Sequence, residues 1–204
     1  MPCRDNSKLS DSQLVQIVES ALLMATDKSG PWLVCKPGCS QCCVGVFAIN
    51  QLDAARLRSG LRELASRDPS RALRVRQRSV ESRARLAADF PGDPLTGLLA
   101  ENAEDGEEFA SLGNDEPCPA LDLASGTCDL YASRPMTCRV FGPPVRSEEG
   151  LGVCELCYHG ATPDEIAACE MTPDPEDLES RLVEDIERTT GVRGKTIVAF
   201  ALSS

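Results

Sequence analysis

The chain has 204 residues, of which 42% are hydrophobic and 26% charged, with a formal net charge of -11 and 11 cysteines. A chain of this length buries a core without staples, and no run approaches the roughly 20 apolar residues of a membrane span. The acidic balance argues against a general nucleic-acid binder, which needs a basic face for phosphate contacts, and eight aromatic residues leave few platforms for base stacking.

The opening MPCRDNSKLSDSQLVQ has no basic start, apolar stretch and small-residue cleavage site. A cytoplasmic, reducing setting is therefore expected, in which cysteines remain thiols. After Ser10, a capping residue, Leu14, Ile17, Val18, Ala21, Leu22 and Ala25 recur at helical spacing and predict a helix over 11–27. It stops before Gly30-Pro31. Trp32, Leu33 and Val34 lead into CKPGCSQCC, which holds Cys35, Cys39, Cys42 and Cys43, and an apolar run from 44 to 49 leaves it, so hydrophobic chain is expected to wrap the thiols. Asn50 caps a second predicted helix, 51–67, with Leu57, Leu61 and Leu64 on one face. Asp68-Pro69 ends it and opens another over 69–89, with Leu73, Val80, Ala84 and Ala87 as its apolar stripe.

Ten arginines lie between Ala54 and Ala88, whereas Leu99 to Leu130 holds nine acids and no Lys or Arg. A solvated arginine face partly neutralised by the acidic stretch is the plainer expectation, and an RNA, anionic or protein partner on the arginine-rich helix is the alternative. Residues 91–117 read as short helical pieces in a mobile excursion. Cys118, Cys128 and Cys138 follow at ten-residue intervals in PCPALDLASGTCDLYASRPMTC, each after a bend, and Cys154 and Cys157 form a CxxC pair. Thr162 with Glu165 predicts a capped helix start. A final helix is expected over 175–189, and a short strand or packed tail over 196–202. The fold class is mainly α, with helices packed around irregular cysteine-rich metal-binding loops and little β. A single metal-binding domain is expected, with cysteine blocks 35–43 and 118–157, a helical and acidic insertion 50–117, and a helical C-terminal part 162–204.

Pro37 and Gly38 turn the chain between two thiols, as a metal knuckle requires if both sulfurs are to face one ion. Adjacent side chains diverge on any regular backbone, so Cys42 and Cys43 need not serve the same metal. The expected metal ligands are Cys35, Cys39, Cys42, Cys43, Cys118, Cys128, Cys138, Cys154 and Cys157. Their number permits two tetrathiolate sites without requiring them. Zinc takes Cys or His and iron–sulfur clusters mostly Cys alone, so the single histidine tilts the expected cofactor toward an iron–sulfur cluster, 4Fe-4S ahead of Zn2+. Lys36, Arg134 and Arg139 lie beside ligands, where a cation offsets thiolate charge.

The two main blocks, with CCVGVFAINQLDAARLRSGL, resemble the YkgJ-type cysteine-cluster family of zinc- or iron-chelating domains. The resemblance implies metal binding by the seven cysteines of those blocks and no particular reaction. The cysteine cluster is also similar to that of flagellin lysine N-methylases, which suggests an iron–sulfur centre, but no S-adenosylmethionine site accompanies it here. Cys3 reads as a free thiol, Cys169 as a small buried hydrophobe, His159 as a loop residue outside the ligand set, and Glu107-Glu108 and Glu148-Glu149 as solvated charge. No catalytic constellation is visible. The function expected is a metal-binding protein with an iron–sulfur cluster or zinc, a structural-zinc interaction module or a metal-handling protein being the alternatives.

Overall fold

Ser10 forms a complete capping box with Gln13, its hydroxyl accepting from the Gln13 N–H while the Gln13 side chain accepts from the Ser10 N–H at 2.8 Å. Two of the orphan donors at the start of α1 (Asp11–Ser29) are thereby satisfied. The computed structural model describes residues 10–147 and 150–203. Cys3, Glu148 and Glu149 lie outside them. Helix α1 runs two residues beyond expectation because Gly30, at φ +48°, closes it by donating to the Thr26 carbonyl. It buries Leu14, Val18, Ala21 and Ala25, while Ile17 faces outward.

Strand β1 (Ala48–Ile49) leads into α2 (Gln51–Arg67), where the Asn50 side chain accepts from the Asp53 N–H at 2.9 Å. Asp68 then ends α2 and caps α3 (Pro69–Leu86), with Pro69 in the first turn, where its missing N–H costs nothing. The face expected of α3 is corrected here. Leu73 and Val80 are exposed, at 65% and 56%, as is Ala84, whereas Ala72, Val75, Ser79, Ser82 and Leu86 are buried. Small side chains at these positions let α3 lie close to its neighbours, and the Ser79 hydroxyl returns to the Val75 carbonyl at 2.8 Å, so its polarity is no obstacle to burial.

The 91–117 excursion is more structured than a mobile loop. It carries a hairpin of β2 (Gly92–Asp93) and β3 (Leu98–Leu99) and a short helix α4 (Glu107–Ser111). Leu99, Phe109 and Leu112 join Leu86, Phe90 and Phe200 in a buried cluster, with Phe90 and Phe200 stacked at 4.4 Å. Glu107 and Glu108 are exposed, as expected. A second hairpin, β4 (Leu121–Asp122) with β5 (Thr127–Cys128), precedes α5 (Met136–Val140), and a third pairs β6 (Val145–Ser147) with β7 (Gly150–Gly152).

Helix α6 (Pro163–Ala168) begins with the expected Thr162–Glu165 capping box. Helix α7 (Leu178–Thr190) ends at Gly191, φ +74°, but it is not the last helix. Strand β8 (Thr196–Ile197) pairs antiparallel with β1 and continues into α8 (Val198–Ser203), whose residues 198–202 are all buried. A helix apolar on every side belongs inside, and α8 packs against α3 and α2. A second core joins α1 to α5 and α7 through Leu14, Val18, Met136, Met171 and Leu182. The cysteine loops lie between these bodies. Among the described residues the fold is mainly α, its strands forming only two-stranded pairs, and no helix is long and apolar enough to cross a membrane.

Candidate metal centre

The knuckle around Cys35 and Cys39 forms as its sequence dictates. The Cys39 N–H donates to the Lys36 carbonyl at 2.9 Å across Pro37-Gly38, and Gly38 takes φ +91°, a conformation that disfavours any side chain. Residues 41–43 make a single 3₁₀ turn. The first block docks on the second through main-chain bonds, Cys118 N–H to Cys43 carbonyl at 2.7 Å and Gly45 N–H to Glu116 carbonyl at 2.9 Å. Gly126, at the tip of the β4–β5 hairpin, touches Gly38, and a Cβ there would stand 3.0 Å from the Gly38 carbonyl oxygen. Two glycine turns from distant stretches thus meet. The hydrophobic wrapping is incomplete, since Val34, Val44 and Phe141 remain 50%, 47% and 45% exposed.

The hairpin sets Cys128 opposite Leu121, and Cys118 and Cys128 pack against the main core. Main-chain N–H groups face the sulfurs, Ala120 and Leu121 toward Cys118 and Leu130 toward Cys128, which favours thiolate. Arginines of α3 hold this loop from outside. Arg71 and Arg78 both pair with the buried Asp129 carboxylate, Arg78 at 2.5 Å, and Arg78 also donates to the Pro119 carbonyl at 2.8 Å. Arg85 pairs with Glu116 at 2.7 Å. Much of the arginine-rich face is therefore spent on the chain's own acidic stretch, while Arg74 and Arg76 are exposed.

Cys138 rides on α5. Asp53, 2% exposed, accepts the Met136 N–H at 3.0 Å and pairs with Arg56, which also binds Asp11. Arg139 is buried beneath the preceding turn, donating to the carbonyls of Arg134 and Ala132 and to Glu19. Cys154 and Cys157 form their own turn, Cys157 N–H to Cys154 carbonyl at 2.9 Å. The Tyr158 N–H reaches the Trp32 carbonyl at 2.9 Å and its hydroxyl meets Ser29 at 2.5 Å, which lays this segment along the chain entering Cys35. Cys169 is buried beside Cys154, Cys157 and Tyr158, just past the end of α6 rather than within it, and His159 is exposed.

All ten cysteines among the described residues are free thiols. Burial pushes Cys35 up to about 11, helped by the neighbouring Cys39, Cys42, Cys157 and Cys154. Cys118 is pushed up to about 12 by burial. Cys42 is raised by its hydrogen bond with Cys43 and by burial, with Arg134 opposing, and Cys138 is raised by burial and by Cys118, Cys128 and Cys42. Crowded thiols resist ionisation because each thiolate would repel the next, and a cation removes that penalty. Among the described residues, no three Cys, His, Asp or Glu side chains converge closely enough to grip one ion as they stand.

Arg134 provides the test of whether a metal centre fits. Its side chain is 7% exposed, it stacks over the Tyr131 ring at 3.8 Å, and its Nε and Nη1 have no hydrogen-bond partner. Its charge acts on both Cys42 and Cys128. Two buried guanidinium nitrogens without acceptors are costly, and an anionic thiolate–metal unit at those sulfurs would supply negative charge beside them. The residues fit. Asp129 and Asp53 are buried carboxylates that tie the loops beside Cys128 and Cys138, and sequence reading passed over both roles. For Asp129 a signal existed, an acid directly after a candidate ligand cysteine, with an arginine-rich helix elsewhere in the chain; for Asp53 only a first-turn acid was visible.

Residues 34–158 match the CxxCxxCC family, described as a "putative zinc- or iron-chelating domain". No curated protein and no solved structure matches the chain.

Proposed function

The chain belongs to the CxxCxxCC family of zinc- or iron-chelating domains, and from that premise we propose that its cysteines hold a resident iron–sulfur cluster, 4Fe-4S in preference to zinc. The observation that carries the reading is the buried Arg134, whose Nε and Nη1 have no hydrogen-bond partner among the described residues, beside free thiols. The preference for iron rests on ligand chemistry, because the one histidine, His159, is exposed and the gathered donors are all sulfur. The donors would be Cys35, Cys39, Cys42, Cys43, Cys118, Cys128, Cys138, Cys154 and Cys157, of which Cys154 and Cys157 are buried, Cys35 is exposed and the others are half-buried. When bound, a cluster supplies one-electron transfer. Around it, the main-chain N–H groups facing Cys118 and Cys128 would orient those sulfurs, and Arg134 would offset charge near Cys42 and Cys128.

Anaerobic purification tests this directly. Brown protein with stoichiometric iron and acid-labile sulfide is the expected result. Colourless protein with stoichiometric zinc overturns the cofactor, and protein without stoichiometric metal overturns the whole reading. The exposure of Cys35 favours a second reading, metal handling. Rapid exchange of the bound metal with a chelator would support it over a resident centre.

A further inference from the structure

The acidic stretch is only partly neutralised by the chain's own cations. Asp129 is paired with Arg71 and Arg78, Glu116 with Arg85, and Glu104 with Lys195 at 2.6 Å, whereas Glu101, Glu107 and Glu108 are exposed and form no ion pair among the described residues. These three unpaired acids line one open groove of about 990 Å³ between the β2–β3 hairpin and the start of α4. Pro91, Leu98, Ala100 and Ala103 line it as well, its accessible surface is mostly apolar, and neither a Lys or Arg nor any candidate cysteine donor belongs to it. Its fourth acid, Asp93, is occupied by its own turn, accepting from the Leu95 N–H at 2.9 Å and the Thr96 hydroxyl at 2.8 Å. Leu95, 86% exposed, stands in that turn between Asp93 and Thr96, both of which line the groove. The hairpin is held from behind. Leu99 is buried with Phe90, Phe109 and Leu112, its N–H donates to the Lys195 carbonyl at 2.9 Å, and the Thr196 hydroxyl donates to the Gly97 carbonyl at 2.6 Å.

We propose that this groove docks a cationic, amphipathic segment of a partner protein, its Lys or Arg heads meeting Glu101, Glu107 and Glu108 and its apolar side chains covering Leu98, Ala100 and Ala103. Charge complementarity selects the occupant. Three unpaired carboxylates with no cation in the lining repel an anionic ligand and attract a basic one, and the net charge of -11 steers a basic partner toward the chain from a distance. The apolar lining selects against a purely charged ligand, since covering it is favourable only for a segment that also carries apolar side chains. A bare metal ion is not the occupant, because no three acids among the described residues are placed to hold one. The volume is that of a ligand-binding cleft, and a wall already fixed to the core lowers the ordering cost of binding. The exposed Leu95 offers the partner a further apolar contact beside the groove.

The test uses as-purified full-length protein and a fluorescein-labelled peptide of Lys, Leu and Ala, about twelve residues long and amphipathic as a helix. Anisotropy should show saturable binding at least about tenfold tighter than that of a Glu, Leu and Ala peptide of the same length, weakening as salt is raised. Glu101→Gln/Glu107→Gln/Glu108→Gln should weaken it about tenfold. Asp27→Asn/Glu63→Gln/Glu184→Gln, which removes the same charge from exposed acids elsewhere, should weaken it less than about twofold. Ala100→Arg, which places bulk and a cation in the groove at an exposed position, should abolish it. Amide hydrogen exchange of wild-type protein should slow on peptide binding at residues 98–108, a readout that stands even if a variant fails to fold. No saturable binding, equal weakening by the distant triple variant, or protection confined to other segments overturns the proposal. Spermine binding as tightly as the Lys peptide assigns the groove to free polyamines and overturns the protein partner.

Discussion

Asp129→Ala should destabilise the chain far more than a surface ion pair does, and should loosen the buried cysteine loop in particular. The Asp129 side chain is 2% exposed and answers two arginines, Arg71 at 38% and Arg78 at 24% exposure. Truncating the acceptor of a charged hydrogen bond costs about 1.5–3 kcal/mol, and breaking a fully buried pair about 3–5 kcal/mol. Both arginines can swing partly into water, so we place the loss at about 2–4 kcal/mol, below the sum for two such bonds. At 204 residues that lowers Tm by about 5–15 °C. Urea unfolding and thermal melts of metal-loaded protein read the loss. Arg85→Ala is the control, because the Arg85–Glu116 pair sits on a side chain 55% exposed and should cost less than about 1 kcal/mol. Asp129 also neighbours Cys128 directly in sequence, so metal release from Asp129→Ala should be faster than from Arg85→Ala. A stability within about 0.5 kcal/mol of wild type, the spread expected of ordinary surface changes, would refute the idea that the arginine helix clasps this loop.

Three further outcomes follow from the same geometry. Gly60→Ala, which in an open helix gains about 1 kcal/mol, should here cost about 1–3 kcal/mol, because the added Cβ would stand 2.2 Å from the Ser133 Oγ and 2.4 Å from its Cβ; urea titration shows the sign, and Ser133→Gly should restore stability. Stripping the metal should alter the fluorescence of Trp32, the single tryptophan, which packs on the Cys154–Cys157 cluster, while far-UV dichroism keeps the signal of α2, α3 and α8; an unchanged emission spectrum would count against a metal beside Trp32. The pH response should reverse with loading. In the metal-free chain, Cys35 near 11 and Cys118 near 12 stand above the ordinary thiol value of 9.0, so the stability of the protonated fold is present below 9 and lost as pH rises through that window. Metal binding instead expels those protons, so affinity should strengthen with rising pH and uptake should release acid, measurable by calorimetry in buffers of different ionisation enthalpy.

The helices were legible wherever local chemistry alone decides. Ser10, Asn50, Asp68 and Thr162 each cap the helix their sequence announces, and α2 occupies the span its pattern predicts. The orientation of α3 was not legible, because its apolar residues are few and the face it buries, with Ala72 and Val75 in the cluster that holds Val198, Ala201 and Leu202 of α8, leaves Leu73 outside. The tail showed the same limit. Residues 196–202 read as a strand or a packed tail and form both a strand and a helix, since pairing with β1 is a distant contact that no local pattern encodes. For the cysteines, spacing identified the candidate donors, but their grouping depends on Tyr158 meeting Trp32 and Cys118 meeting Cys43, bonds between segments that lie far apart in the chain.

Charge explains why the arginine-rich helix and the acidic stretch occur together in a chain of net charge -11. Gathering thiolates in a half-buried loop adds negative charge where the chain is already acidic, and a loop held only by its metal would open whenever the metal left. Arg71 and Arg78 hold Asp129 without touching the sulfurs, Asp53 holds the start of α5 through the Met136 N–H, and Arg139 holds the turn before Cys138 through two carbonyls. Each of these ties binds main chain or carboxylate next to a cysteine, so the loops keep their course while the thiols stay available. Arg134 differs from these ties, since its guanidinium stacks on Tyr131 and its buried Nε and Nη1 have no hydrogen-bond partner among the described residues. The scaffold arginines therefore hold the loops that carry the sulfurs, whereas Arg134 lies close enough to Cys42 and Cys128 for its charge to act on both.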